Sequence, residues 1–134
     1  MSGLSGAEEQ SDESSPDINW SAFEYYASLK KLSLYLEKHP NVELNLRSAA
    51  GIAAMEATNF SKFFAKKTGI PFKYWNDLRR IERAKRALGL SDISIADAAF
   101  KFGFQDVGTF TRTFKRITKM TPSAYRKRFG CGKQ

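Results

Sequence analysis

Apolar positions in this chain recur at three- and four-residue spacing from Trp20 onward and are nearly absent before it. Phe23, Tyr26, Leu29, Leu32 and Leu36 form the first stripe and predict an amphipathic helix running to about Lys38. Ser21 and Glu24 stand at capping-box spacing at its start, Trp20 and Tyr25 take the two staple positions, and His39-Pro40-Asn41 closes it. Phe60, Phe63 and Phe64 mark a helix over about 57–68, stopped by Gly69. Trp75, Leu78, Ile81, Ala84 and Leu88 mark a longer one over about 72–88, just after Pro71. Phe110, Phe114 and Ile117 mark another over about 106–118. Thr121 caps a short last helix that Pro122 opens, at a position where its missing N–H costs nothing. No alternating valine- or threonine-rich run interrupts this pattern, so an all-α fold of about seven helices is expected.

Within the pattern lies an internal repeat. Asn45-Leu46-Arg47-Ser48-Ala49-Ala50-Gly51-Ile52-Ala53-Ala54-Met55 matches Ser94-Ile95-Ala96-Asp97-Ala98-Ala99-Phe100-Lys101-Phe102-Gly103-Phe104 at an offset of 49. Downstream the offset becomes 50: Phe60 matches Phe110, Lys62 matches Arg112, Phe64 matches Phe114, Thr68 matches Thr118 and Trp75 matches Tyr125. The second unit therefore carries one extra residue in its turn. Each unit reads as helix, tight turn, helix. Ala50 and Ala99 fall where the two helices cross closely; Ala54 and Gly103 fall in the turn, where glycine takes positive φ freely and alanine is mildly strained. The architecture expected is two helix-turn-helix subdomains, 20–70 and 91–129, joined by a linker helix over 71–90, with tails at 1–19 and 130–134.

Charge then points to a partner. Residues 1–19 hold Glu8, Glu9, Asp12, Glu13 and Asp17 and no Lys or Arg, and their polar composition predicts a disordered acidic tail. The remaining 115 residues hold all 22 cations and the other 9 acids, a net +13, which favours a polyanionic partner over mere solubility. The tail can solubilise the chain or compete with a nucleic acid for the basic face.

The outward faces of the two second helices suit duplex DNA. In the first they carry Thr58, Asn59, Ser61, Lys62 and Lys66; in the second, Val107, Gly108, Thr109, Thr111, Arg112, Lys115 and Arg116. Small and hydroxyl residues near each helix start allow approach to base edges, Val107 and the threonine methyls fit a thymine methyl, Arg112 can fork onto guanine, and Asn59 can pair with adenine. Lys66, Lys115 and Arg116 come later and suit phosphates. A major groove admits one helix, and its successive turns lie about 34 Å apart. A linker of about 17 residues spans roughly 25 Å, a fitting spacer for two reading helices. The linker's Arg79, Arg80, Arg83, Lys85 and Arg86 read as partly paired within the helix, through Asp77 and Glu82, and partly free for phosphate.

Residues 44–129 resemble the DNA-binding domain of the AraC/XylS family of bacterial transcription regulators. The second unit carries the likeness most strongly, from Ser94 to Phe104, then through Phe110-Thr111-Arg112-Thr113-Phe114-Lys115-Arg116 and Met120-Thr121-Pro122-Ser123-Ala124-Tyr125-Arg126; Phe72-Lys73 and Glu82-Arg83-Ala84-Lys85-Arg86 match the family's linker helix. The resemblance implies a seven-helix fold, binding to two adjacent major-groove segments, and activation through contact with RNA polymerase. It puts Thr58, Asn59, Ser61, Lys62, Val107, Gly108, Thr111 and Arg112 where family members touch DNA. It departs at Glu56, in place of a serine-like cap; at Ala54, in place of a turn glycine; and at Asn76 and Arg79, at usually aliphatic positions. The length leaves no room for a ligand-binding domain, so the chain resembles short members that bind as monomers.

Other functions are disfavoured. One histidine, His39, suits a structural cation at a helix end, and the one cysteine, Cys131, cannot form an internal bridge. With no glycine-rich phosphate loop and no clustered carboxylates, neither an enzyme nor a metal or cofactor site is expected. No signal peptide or membrane-length apolar run is present, which predicts a cytoplasmic, nucleoid-associated protein. Two alternatives remain: an architectural DNA binder of low sequence specificity, and an interaction module using residues 20–38 as a dimer seam.

Overall fold

The structure, a computed structural model, describes residues 17–130; most of the acidic tail, Cys131 and the other terminal residues lie outside them. All regular structure among the described residues is helical: α1 Ala22–Tyr25, α2 Ala27–Lys38, α3 Leu46–Ile52, α4 Ala57–Thr68, α5 Phe72–Leu90, α6 Ile95–Lys101, α7 Val107–Thr118 and α8 Pro122–Phe129. No helix among these residues is long and apolar enough to cross a membrane.

The first predicted helix is two helices. Tyr26 breaks it with an extended backbone, φ −95° and ψ 125°. Packing supplies the reason. Tyr26 lies edge-on to Phe63 at 5.5 Å with the Lys67 ammonium 5.0 Å from its ring centre, while Phe23 stacks on Trp75 at 5.7 Å. The expected capping box is absent too. Ser21 is itself helical (φ −67°, ψ −17°), a conformation from which its hydroxyl cannot reach the third N–H of the helix; it donates instead to Asn19 Oδ1 at 2.7 Å. Nor does the staple form, since Trp20 and Tyr25 are 59% and 80% exposed. Asp17–Asn19 are seated rather than loose. Asn19 donates its backbone N–H to the Thr68 carbonyl at 2.8 Å and its side-chain amide to Lys67 at 3.1 Å, and Ile18 packs on the core.

Two separate cores follow the repeat. The first gathers Phe23, Leu29, Leu32, Leu44, Phe60, Phe64, Phe72 and Trp75; the second gathers Ile81, Ala84, Leu88, Phe102, Phe104, Phe110 and Phe114. α5 threads both, contributing Trp75 to one and Ile81 to the other. Ala50 and Ala99 are buried as the close crossing requires. In both units an N–H of the turn bonds back five residues, Met55 to Ala50 and Phe104 to Ala99, each at 2.9 Å. The turn residues are left-handed, Ala54 at φ 62° and Gly103 at φ 95°. The caps Glu56 and Asp106 then stand at an offset of 50, so the inserted residue is Gln105.

The repeat extends past the second helices. Thr68 and Thr118 hold their hydroxyls 2.7 and 2.8 Å from the carbonyls of Phe64 and Phe114, and accept from the N–H groups of Ile70 and Met120. Gly69 and Lys119 then turn the chain at φ 89° and 70°. Phe64 packs on Trp75 at 5.4 Å and Phe114 on Tyr125 at 5.5 Å, so α8 is the second unit's counterpart of the start of α5. His39 closes α2, its ring 4.4 Å from Tyr35.

Where the units meet, the chemistry is polar. Glu43 accepts from Arg80 Nε at 2.8 Å and from Arg83 Nη1 at 3.2 Å. Arg83 also donates to the Asn41 carbonyl at 3.0 Å, Arg79 to Val42 at 3.4 Å, and Asn76 to Leu44 at 2.9 Å. The loop between α2 and α3 is thus stapled along α5. Arg79, Arg80 and Arg83 are turned to this loop, rather than chiefly to partners on their own helix; Lys85–Glu82 (2.9 Å) and Arg80–Asp77 (3.5 Å) are the intrahelical pairs of the expected kind. Burial, followed by the neighbouring Arg83 charge, pulls Arg79 below the ordinary arginine range, with Glu43 opposing. Asn76 and Arg79, the departures from an aliphatic pattern, are there to hold backbone carbonyls.

Candidate nucleic-acid interface

Each second helix begins with an acid that folds onto its own orphan N–H groups. Glu56 Oε1 accepts from the Asn59 N–H at 3.0 Å, so a residue unusual at this position performs the capping role through its longer arm. Asp106 accepts from the Thr109 N–H at 2.6 Å and from the Thr109 hydroxyl at 3.2 Å. These bonds favour the charged form. Glu56 is held below its ordinary value by the N–H groups of Asn59 and then Thr58, and Asp106 by the N–H and then the hydroxyl of Thr109. Both helices therefore start with a fixed negative charge followed by cations.

None of the twelve residues singled out from the sequence is buried. Thr58, Asn59, Lys62 and Lys66 on α4, and Gly108, Arg112, Lys115 and Arg116 on α7, are exposed; Ser61, Val107, Thr109 and Thr111 are half-exposed. The buried stripes, Phe60 with Phe64 and Phe110 with Phe114, face the cores. Arg112 folds back over the start of α7, with Nη2 3.3 Å from the Thr109 hydroxyl and Nη1 3.3 Å from where a Cβ on Gly108 would stand. Gly108 thereby leaves room for the guanidinium along the helix. Arg116 differs from its neighbours: it lies 3.7 Å from Asp77 Oδ2 and over the Tyr74 ring at 5.7 Å, tying α7 to the linker helix. Lys67, beside Lys66, is turned back onto Tyr26 and Phe63.

Sequence reasoning missed two residues. Asp106 was legible as an acid three positions before Thr109 at the start of an apolar stripe, a spacing that signals a helix cap. Glu43 carried no local signal, because its partners lie 37 and 40 residues away. Among the described residues no cluster of histidine, cysteine and acids is placed to hold a metal.

A family model described as a helix-turn-helix domain matches residues 49–128. Among curated proteins, the chain is 37% identical over 92 residues to an uncharacterized HTH-type transcriptional regulator of Staphylococcus aureus; the match covers 69% of this chain and 12% of that protein. It is 34% identical over 101 residues to the regulatory protein PocR of Salmonella typhimurium, covering 75% of this chain and 33% of PocR. The chain thus spans a small part of the length of these relatives. Among solved structures, the DNA-binding domain of the global transcriptional factor AdpA, crystallised with a target DNA, aligns with a TM-score of 0.65 at 25% identity, covering 78% of this chain and 94% of that one. The C-terminal domain of the response regulator AraT from Geobacillus stearothermophilus shares the fold, with a TM-score of 0.68 at 22% identity over 81% of this chain and 90% of that one. A repeated helix-turn-helix on one linker helix, matched by the family model over most of its length, shows that the chain belongs to the AraC-type helix-turn-helix family of DNA-binding domains.

Proposed function

We propose that this protein regulates transcription by binding duplex DNA sequence-specifically, laying α4 and α7 into adjacent major-groove segments of one site. The observation that carries this reading is the matched pair of exposed helices, each capped by an acid, lined with small and hydroxyl residues and followed by cations. α5, at 19 residues, is about 28 Å long and suits a spacer between two turns of one groove. The likeness to AdpA, a transcriptional factor solved on its target, supports the same use of this fold.

Roles follow from chemistry. Arg112 takes a guanine edge, Asn59 an adenine edge, and Val107, Thr58 and Thr111 the apolar groove floor. Ser61, Lys62, Gly108 and Thr109 line the approach; Lys66, Lys115 and Arg116 take phosphates. Arg116 must exchange Asp77 for a phosphate to do so, which makes it the weakest of the three. The protein acts as a monomer in the cytoplasm, at the nucleoid, and activates through contact with RNA polymerase.

Selection from a random duplex pool, followed by footprinting, tests the reading. A single enriched motif with protection over two adjacent major-groove segments is expected. Equal affinity for selected and random duplexes at fixed salt would instead establish the architectural alternative.

A further inference from the structure

The two cores are distinct, and the relative pose of α4 and α7 therefore depends on what holds the units together across α5. A straight helix fixes the distance along its axis. It does not by itself fix how each unit is rolled about that axis. The roll needs lateral contacts, and the junction around Glu43 supplies them.

Glu43 belongs to the loop of the first unit, yet it presses on the turn of the second. A Cβ added to Gly103 would stand 2.5 Å from Glu43 Oε2 and 2.9 Å from Arg80 Nε. The two arginines that Glu43 holds also reach across: Arg80 lies over the Phe104 ring at 5.5 Å and Arg83 over Phe102 at 5.2 Å. Phe102 and Phe104 flank Gly103 and are buried in the second core. One carboxylate thus sits between two like-charged side chains of α5 and the turn that aims α7. Arg83 is only 7% exposed, so its charge depends on that carboxylate for neutralisation. Two charge-assisted bonds at 2.8 and 3.2 Å from one fork-like cluster give direction as well as strength.

We propose that Glu43 is the positioning residue that sets the roll of the two helix-turn-helix units about α5, and so the base-pair spacing at which both can engage one duplex. The inference rests on the DNA-binding reading above and extends it: the bases are read by α4 and α7, but the distance between them is read by the junction. In duplex DNA one inserted base pair rotates and shifts the second half-site by about a tenth of a helical turn. A rigid junction refuses that change, and a loosened one tolerates it.

Two measurements on the full chain test this. Spin labels at Lys66→Cys and Lys115→Cys, in a Cys131→Ser background, report the spacing of α4 and α7 without DNA. One narrow distance distribution is expected, which Glu43→Gln broadens or splits. Gly103→Ala, which sets a methyl against the same contact and also strains the left-handed turn, should shift it as well. Affinity is then measured for the selected site with one base pair added or removed between half-sites. Glu43→Gln should shrink the penalty for misspacing at least threefold, while affinity for each isolated half-site stays within about twofold. An unchanged distance distribution, or a misspacing penalty of wild-type size in Glu43→Gln, overturns the proposal. Should no chain discriminate between duplexes, the sequence-specific reading fails on that result, and the label distances still decide the role of Glu43.

Discussion

Ala54 and Gly103 occupy the same turn of the two units and both adopt left-handed backbone, at φ 62° and 95°. Only one of them is a residue built for it. An L side chain in this region costs on the order of 1 kcal/mol, partly offset by the greater freedom that glycine gives the unfolded chain. Ala54 is exposed, so its methyl contributes little packing in return. Ala54→Gly is therefore expected to stabilise the protein by about 0.5–1 kcal/mol and to raise Tm by a few degrees. Thermal unfolding followed by circular dichroism checks it, and an unchanged or lowered Tm would show that the turn is unstrained.

Arg112 and Lys115 lie one turn apart on the exposed face of α7 and should fail differently. Arg112→Ala is expected to cost about 1–3 kcal/mol of binding and to relax preference at one base pair. Lys115→Ala should weaken all sequences alike and reduce the salt dependence of binding by about one phosphate contact. Competition titrations against single-base variants of the selected site separate the two. Unaltered selectivity in Arg112→Ala would remove it from base readout.

The acid caps set a pH window. Asp106 is held below its ordinary value of 3.8, first by the Thr109 N–H and then by the Thr109 hydroxyl, with the Arg112 charge adding to the effect. Glu56 is likewise held below 4.5 by the N–H groups of Asn59 and Thr58. A carboxylate whose native pKa is depressed binds protons more readily when unfolded, so stability rises with pH across this range. The contribution is complete above the ordinary values and fades as pH falls through the lower native ones. Urea unfolding of wild type and Asp106→Ala should thus differ by a constant amount near neutrality and converge in acid. A difference that widens on acidification contradicts the capping role.

Both tryptophans, Trp20 and Trp75, belong to the first unit, which makes fluorescence a reporter for that unit alone. Phe110 is fully buried in the second core. Phe110→Ala should cost about 3–5 kcal/mol, comparable to the whole stability of a small domain. Since the cores are separate, the loss should fall on one of them. Part of the helical dichroism is expected to disappear at low urea, while tryptophan emission holds until a second transition. Coincident transitions from both probes would mean that the units unfold as one.

Some of this molecule was legible from local pattern. Spacing of Phe60 with Phe64, and of Phe110 with Phe114, placed α4 and α7, because helical burial repeats every three to four residues whatever lies opposite. The turn at Gly103, the stop at Gly69 and the start at Pro122 were legible for a related reason: backbone freedom and a missing N–H act within one residue. The repeat and the excess of cations were plain in the order of residues alone.

Other features were settled only by contact across the fold. Tyr26 looks helical by spacing, yet the Phe63 ring and the Lys67 ammonium it meets on α4 pull it out of the helix. Ser21 and Glu24 have the spacing of a capping box but not the backbone for one. Arg116 reads as a cation free for phosphate until Asp77 is found beside it, and Arg80 and Arg83, expected to pair in part along their own helix, turn out to share Glu43 of a distant loop. The division has one physical reason. Periodicity and capping signals act through atoms within about four residues along the chain, so order alone makes them legible wherever no tertiary contact overrides them, as one does at Tyr26. A charge or a ring takes its partner from whatever the folded chain brings near, and for Glu43 that partner lies 40 residues on, a distance closed by the packing of the α2–α3 loop against α5.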